Sequence, residues 1–220
     1  MRAALDALVD LDPRLARIEQ TAGLLPWRVR TGGFPGLLQI VVGQQISNQA
    51  ARAIWRRLAA LPGALAPEGL LALDEVALRG AGLSRPKVSH ARSLAAAFAS
   101  GQLSSTVLER QSDADATATI VAVRGLGPWT AEVYLLFALQ RPDVFPAGDV
   151  ALAGAAADLL GLPGRPDPKT LRALAEAWRP SRALAARLLW HHWRHLTGRP
   201  SFDDVAPDPG PVYGTFTNLV

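Results

Sequence analysis

The stretch 121–152, VAVRGLGPWTAEVYLLFALQRPDVFPAGDVAL, decides how the chain is read. A helical run ending near Val123 meets Arg124-Gly125-Leu126-Gly127, and Pro128 opens the next run with its φ preset for a first helical turn. Two glycines one residue apart leave backbone amides uncovered by any Cβ. Those amides and the positive end of the following helix face one point, which makes an anion site. The expectation is a hairpin at about 123–128 between two helices, although a GxG between helices also serves as a plain connector. Leu126 between the glycines is suited to anchor the hairpin. Thr130 and Ala131 are small enough to keep the second helix close-packed. Twenty-two residues after Gly127, in Phe145-Pro146-Ala147-Gly148-Asp149, an aspartate precedes the run that starts at Val150.

Outward from this block the apolar residues recur at three- and four-residue intervals, with few alternating β-branched runs, so the fold class is all-α. The spacing predicts helices over Pro13–Gly23, Pro35–Leu61, Leu73–Ala81, Pro86–Ser100, Asp113–Val123, Pro128–Leu139, Val150–Leu160, Pro168–Trp178 and Ser181–Leu196. Pro86, Pro128 and Pro168 stand at starts, Gly101 and Gly161 just past ends, and Asp113 and Asp167 at or near caps. The segment Arg28 to Pro35, with Gly32 and Gly33, breaks the pattern and reads as a turn or short extended piece. Residues 1–199 are expected to form one helical domain of two lobes with the active site in the cleft between them. The stretch 200–220, with four prolines and three acidic residues, reads as a disordered or strap-like tail.

The chain has 220 residues, enough for a sizeable core, and no cysteine. That removes disulfides, thiolate metal sites and thiol catalysis, and it suits a reducing compartment, so a cytoplasmic protein is expected. The net charge is +4, and all but two of the 23 basic residues are arginine, the exceptions being Lys87 and Lys169. Arginine's planar fork suits phosphates, so nucleic acid is a candidate partner, although a GC-rich coding sequence gives the same bias. No apolar run approaches the roughly 18 residues of a membrane span. His191 and His195 stand one helical turn apart, a spacing used for zinc, but no third ligand recurs nearby and no metal site is expected.

The arrangement LRGLG, helix, then aspartate resembles the helix-hairpin-helix Gly/Pro-Asp superfamily of DNA base-excision glycosylases. The likeness extends over roughly Pro35 to Leu196. LLQIVVGQQISNQAARAIW resembles the family's helix pair around a GQ-rich turn, and GLSRPKVSHARSLAAAF, with Lys87, resembles the stretch before the hairpin. Arg179-Pro180 followed by a helix with Trp190 is similar to the 3-methyladenine DNA glycosylase II subfamily. The resemblance implies that Gly125, Leu126, Gly127 and Thr130 hold the DNA backbone and that Gln45 enters the stack where a nucleotide has flipped out. It further implies that Asp149 is the catalytic carboxylate. It allows a monovalent cation between the hairpin carbonyls and a phosphate, and no other cofactor.

Members with lyase activity carry a lysine two positions past the second glycine, where this chain has Trp129. An indole forms no Schiff base, which leaves hydrolysis of the glycosidic bond. The implied enzyme is monofunctional, acts on alkylated bases in double-stranded DNA, and works as a monomer. Trp129 and Trp190 are the expected walls of the base pocket, with Tyr134 as a third, although the family's second aromatic aligns nearer Val133. Competing readings are plain ones: Asp149 as an N-cap for the helix at Val150, Gln44 and Gln45 as ending a helix or satisfying buried backbone, and Glu132 as a surface carboxylate. Trp27, Trp55, Trp178 and Trp193 are read as core packing. Arg52, Arg56, Arg57, Arg182, Arg187 and Arg194 are read as phosphate contacts or solvated charges. The rival functions are an inert DNA-binding protein and a glycosylase for oxidised or deaminated bases.

Overall fold

The structure is a computed structural model that describes residues 2–199. The expected tail, 200–220, lies outside the described residues. Within them the chain is helical with no strand. In order the helices are α1 (Arg2–Leu11), α2 (Ala16–Ala22), α3 (Gly33–Gly43), α4 (Asn48–Ala59), α5 (Pro67–Ala72), α6 (Glu75–Gly80), α7 (Arg85–Ala99), α8 (Ser105–Arg110), α9 (Asp113–Val121), α10 (Pro128–Phe137), α11 (Val150–Leu160), α12 (Pro168–Ala175) and α13 (Arg182–Thr197). Short 3₁₀ turns at Pro13–Leu15 and Glu176–Trp178 precede α2 and follow α12. No helix among the described residues is long and apolar enough to cross a membrane.

Caps written in the sequence set many of these bounds. Asp167 accepts from the amides of Lys169 and Thr170 with Pro168 in the first turn of α12, and left-handed Gly161 closes α11. Asp113 is not the cap of α9; Ser112 before it accepts from Asp115 N. The largest departure from the periodicity concerns Pro35–Leu61, which the spacing reads as one helix and the family resemblance reads as a helix pair around a GQ-rich turn. Gln45 takes a left-handed φ of 56°, which ends the helical hydrogen-bond ladder, and Ser47 then caps α4 through Ala50 N. Two helices with a turn at 44–47 result. The short helices α5 and α8 and the N-terminal α1 have too few turns of periodic sequence to stand out, and the spacing did not predict them.

Close packing falls largely into two groups. α7 packs on α5, α3 and α6, while α3 also meets α4 and α10, and α10 meets α9. The other group joins the two ends of the described chain: α13 packs on α11 and α2, and the Pro13–Leu15 turn meets α11. Leu8, Leu15 and Ile18 are fully buried there, beside Trp178, whose Nε1 donates to Asp12 Oδ2 at 2.8 Å. The N-terminal helices therefore complete the helical body, as expected for residues 1–34. The irregular segment 24–32 crosses between the groups, with Arg30 N donating to Phe137 O at 3.1 Å.

Candidate active site

Asp149 stands at the seam of the two groups. It caps α11, its Oδ1 accepting from Ala151 N at 2.8 Å and Leu152 N at 3.1 Å. The same carboxylate also meets the two indoles that the sequence singled out. Trp129 Nε1, from the first turn of α10, donates to Oδ2 at 2.9 Å, and Trp190 Nε1, from α13, donates to Oδ1 at 3.2 Å. The cap reading holds and leaves room for more: one oxygen carries three bonds, the other one, and Oδ2 keeps acceptor capacity for a further partner. Asp149 and both tryptophans are half-buried, so they are reachable.

The loop before Asp149 is built to hold it still. Val144 to Ala147 are buried, and Asp149 N closes a turn on Pro146 O at 2.9 Å. Asp143 is gripped by Arg182 Nε at 2.8 Å and Arg179 Nη1 at 2.7 Å, while Ala183 N donates to Pro142 O. Arg182, read from sequence as a phosphate contact, is instead an internal strut between α13 and this loop. Arg187 is also occupied internally: it donates to Arg28 O and Leu136 O and lies over the rings of Trp27 and Phe137. Phe137 in turn stacks on Trp190 with ring centres 5.3 Å apart, so a buried cation and an aromatic ring back the wall of the site. Arg194 meets His191 Nδ1 at 2.9 Å and Arg57 donates to Ala81 O, whereas Arg56 is exposed.

The hairpin forms as expected. Gly125 has φ +90° and packs so closely on His90 that a Cβ there would lie 2.2 Å from its ring. Leu126 is buried and anchors the turn, with its amide on Val123 O. Gly127 caps α10 without a side chain, so the first-turn amides of the helix lack intrahelical acceptors. Arg124 beside them is exposed. Thr130 departs from expectation. Its side chain is 1% exposed, and Oγ1 accepts from Gln44 Nε2 at 3.0 Å, so the hydroxyl is not placed to touch a DNA backbone.

Tyr134 is a second correction. It is 0% exposed, and its hydroxyl accepts from Gly33 N at 2.8 Å, fastening α10 to the start of α3. Burial pushes the phenol's pKa up, and the ring is a core tie and not a third pocket wall. Glu132 is buried too, held by Arg172 Nη2 at 2.9 Å; burial raises its pKa against that ion pair, so it is no surface carboxylate. Trp178 is core, as read, and Trp27, Trp55 and Trp193 are partly buried against it. Gln45 is exposed at the turn between α3 and α4. Lys87 Nζ donates to Val42 O at 2.6 Å at the end of α3, and burial lowers its pKa. His191 and His195 do not form a metal centre; no group of three ligating side chains occurs among the described residues, and His191 Nε2 is engaged with Gly23 O.

A glycine hairpin followed by a helix whose first turn carries one of two indoles on a single carboxylate is a specific arrangement. Residues 38–180 match the HhH-GPD superfamily of base excision DNA repair proteins. The chain belongs to that superfamily. DNA-3-methyladenine glycosylase 1 of Schizosaccharomyces pombe is 31% identical over 161 residues, which is 71% of each chain. The solved structure of the S. pombe 3-methyladenine DNA glycosylase in complex with abasic DNA is similar with a TM-score of 0.80 at 28% identity, covering 87% of this chain and 95% of that one. A DNA-3-methyladenine glycosidase from Bacillus halodurans has a TM-score of 0.73 at 33% identity, over 86% of this chain and 88% of its own. For an HhH-GPD member, the aspartate, hairpin and two tryptophans read from the sequence occupy one seam. The sequence reading missed Gln44 as a tie, Arg182 with Asp143 as a brace, and Phe137 behind Trp190.

Proposed function

We propose that this chain is a monofunctional DNA glycosylase that removes alkylated bases from duplex DNA in base excision repair. The observation that carries the reading is the Asp149 carboxylate held by the Nε1 groups of Trp129 and Trp190, beside the hairpin. The relatives' names, DNA-3-methyladenine glycosylases, support it, as does the likeness to a relative solved with abasic DNA.

A stacked base cannot expose its glycosidic bond, so the nucleotide is extruded at a cost of a few kcal/mol. The free amides around Gly125, Gly127 and the start of α10 take a phosphate and hold the backbone. Gln45 fills the vacated place. The extruded base lies among Trp129 and Trp190, whose π faces favour an electron-poor, cationic ring by about 0.5–2 kcal/mol. As the C1′–N bond breaks, its electron pair leaves with the base and positive charge develops on the sugar. Asp149 stabilises that charge and orients or deprotonates the water that adds to C1′. The products are the free base and an abasic site.

The amine needed to trap the sugar covalently is missing at the lyase position: Trp129 stands there with its N–H committed to Asp149. The protein acts as a monomer and uses no organic or redox cofactor. The monovalent cation that the family resemblance allows would use carbonyls of the turn other than Gly125 O, which already accepts from Gln44 Nε2 at 3.2 Å.

The test is a time course on a methylated duplex, following released base and strand scission with and without alkali. Base release with nicks only after alkali is expected. Asp149→Asn, which retains a capping oxygen, should lose base release by about a hundredfold or more while DNA binding persists. Binding with no release from a broad lesion panel would make the chain an inert binder, and nicks without alkali would overturn the monofunctional assignment.

A further inference from the structure

The turn that presents Gln45 is tied to its own helices by Gln44 N on Val41 O at 3.3 Å and by Ser47 at the start of α4, and to the rest of the molecule by the Gln44 side chain. Gln45 sits in the left-handed region, is exposed, and has no side-chain hydrogen bond among the described residues. A non-glycine residue rests in that conformation only where its surroundings impose it. The imposition comes from the residue before it. Gln44 Nε2 reaches across to the hairpin and donates both to Gly125 O at 3.2 Å and to Thr130 Oγ1 at 3.0 Å. Thr130 is almost wholly buried and Gly125 is wedged on His90, so both acceptors are rigid. On the other side Lys87 holds Val42 O, and Ser47 caps α4. The turn at 44–47 and the hairpin at 123–128, far apart in sequence, are thereby one body.

We infer that Gln44 is a positioning residue that couples base extrusion to the backbone grip, by fixing the turn that carries Gln45 to the hairpin that holds the phosphates. The inference rests on the glycosylase reading. With the tie intact, a hairpin seated on the backbone delivers Gln45 at one depth and angle into the stack. Without it the hairpin still grips and Asp149 is untouched, but the wedge swings on a turn whose strained residue is free to relax.

The test separates extrusion from chemistry by varying what faces the lesion. Extrusion is easiest for a base with no pairing partner. Single-turnover base release is measured for wild type and Gln44→Met on a methylated purine in normal pairing, and on the same lesion opposite an abasic-site analogue. Gln44→Met should lose about tenfold on the paired lesion, the scale of a buried acceptor left unpartnered, and should recover to within about twofold of wild type on the unpaired one. Gln44→Glu, which turns an oxygen towards Gly125 O, should be worse than Met on the paired lesion. Thr130→Val breaks the same tie from its other end and should give the same paired-only defect. The double variant should then lose little more than either single one. An equal loss on both substrates, or no loss on either, overturns the inference. Fluorescence of 2-aminopurine beside the lesion reports unstacking without turnover. If the wild type releases no base, the glycosylase reading fails, and a reduced unstacking amplitude in Gln44→Met still decides the coupling.

Discussion

Gly125 shows how much one residue can carry at the hairpin. Its φ of +90° and the His90 ring at its back leave no room for a methyl group. Gly125→Ala should cost about 2–4 kcal/mol, the left-handed penalty plus overpacking, read as a lowered urea midpoint, and DNA affinity should fall with it. Asp149 differs because the observed cap and the proposed chemistry share one carboxylate. Trp190→Phe keeps the stacking on Phe137 but removes one donor, so base release should drop by a factor worth about 1–3 kcal/mol with little change in urea midpoint. Asp149, Trp129 and the glycines were legible as candidates because the motif that carries the family resemblance lies along one stretch of chain. Thr130 and Tyr134 were misassigned because a residue's place on a helix does not say what covers that face. Thr130 meets Gln44 and Tyr134 meets Gly33, contacts about 90 and 100 residues away in sequence.

Among elements, the loop from Pro142 to Asp149 depends on its clamp to α13. Arg182→Met would leave Asp143 with Arg179 alone, and a loss of about 1–3 kcal/mol is expected for a half-buried pair. Chemical denaturation checks it, and base release should fall as Asp149 drifts. The contact of α13 with Gly23, just past α2, is pH-sensitive. Burial lowers the His191 pKa, and Arg194 and His195 add to it, while the bond to Gly23 O opposes it. The folded pKa lies below the unfolded value near 6.5, so this contribution is intact above that pH and is lost as pH falls through it. The urea midpoint of the wild type should therefore fall between pH 7.5 and 5.5 by more than that of His191→Asn. Helices with strong punctuation, such as α11 and α12, were legible almost to the residue. The break between α3 and α4 was not legible in the periodicity, which runs on through Gln44 and Gln45; it was legible only in the resemblance to a helix pair around a GQ-rich turn.

At the scale of the whole molecule, the two ends of the described chain close on each other. Leu15 and Ile18 lie on elements packed against α11 and α13, and Leu8 on α1 beside the Glu176–Trp178 turn, each contributing about 1.5–3 kcal/mol against a net stability of about 5–15 kcal/mol. A fragment of residues 24–199 should consequently lack a cooperative unfolding transition, and circular dichroism against urea would show it. Sequence reasoning reached the helical class and assigned the N-terminal residues to the helical body. It did not reach the partnership of α2 with α13 or of α1 with the Glu176–Trp178 turn, because nothing local marks which amphipathic faces meet. That closure has a consequence for how the protein is made. Chains are synthesised N-terminus first, so the hairpin and Asp149 are made before α13, which brings Trp190 and the Arg182 clamp. A nascent chain that has not reached α13 holds the hairpin and the carboxylate but lacks one of the two indoles that grip it. On the proposed function, base removal waits until α13 has been synthesised and docked.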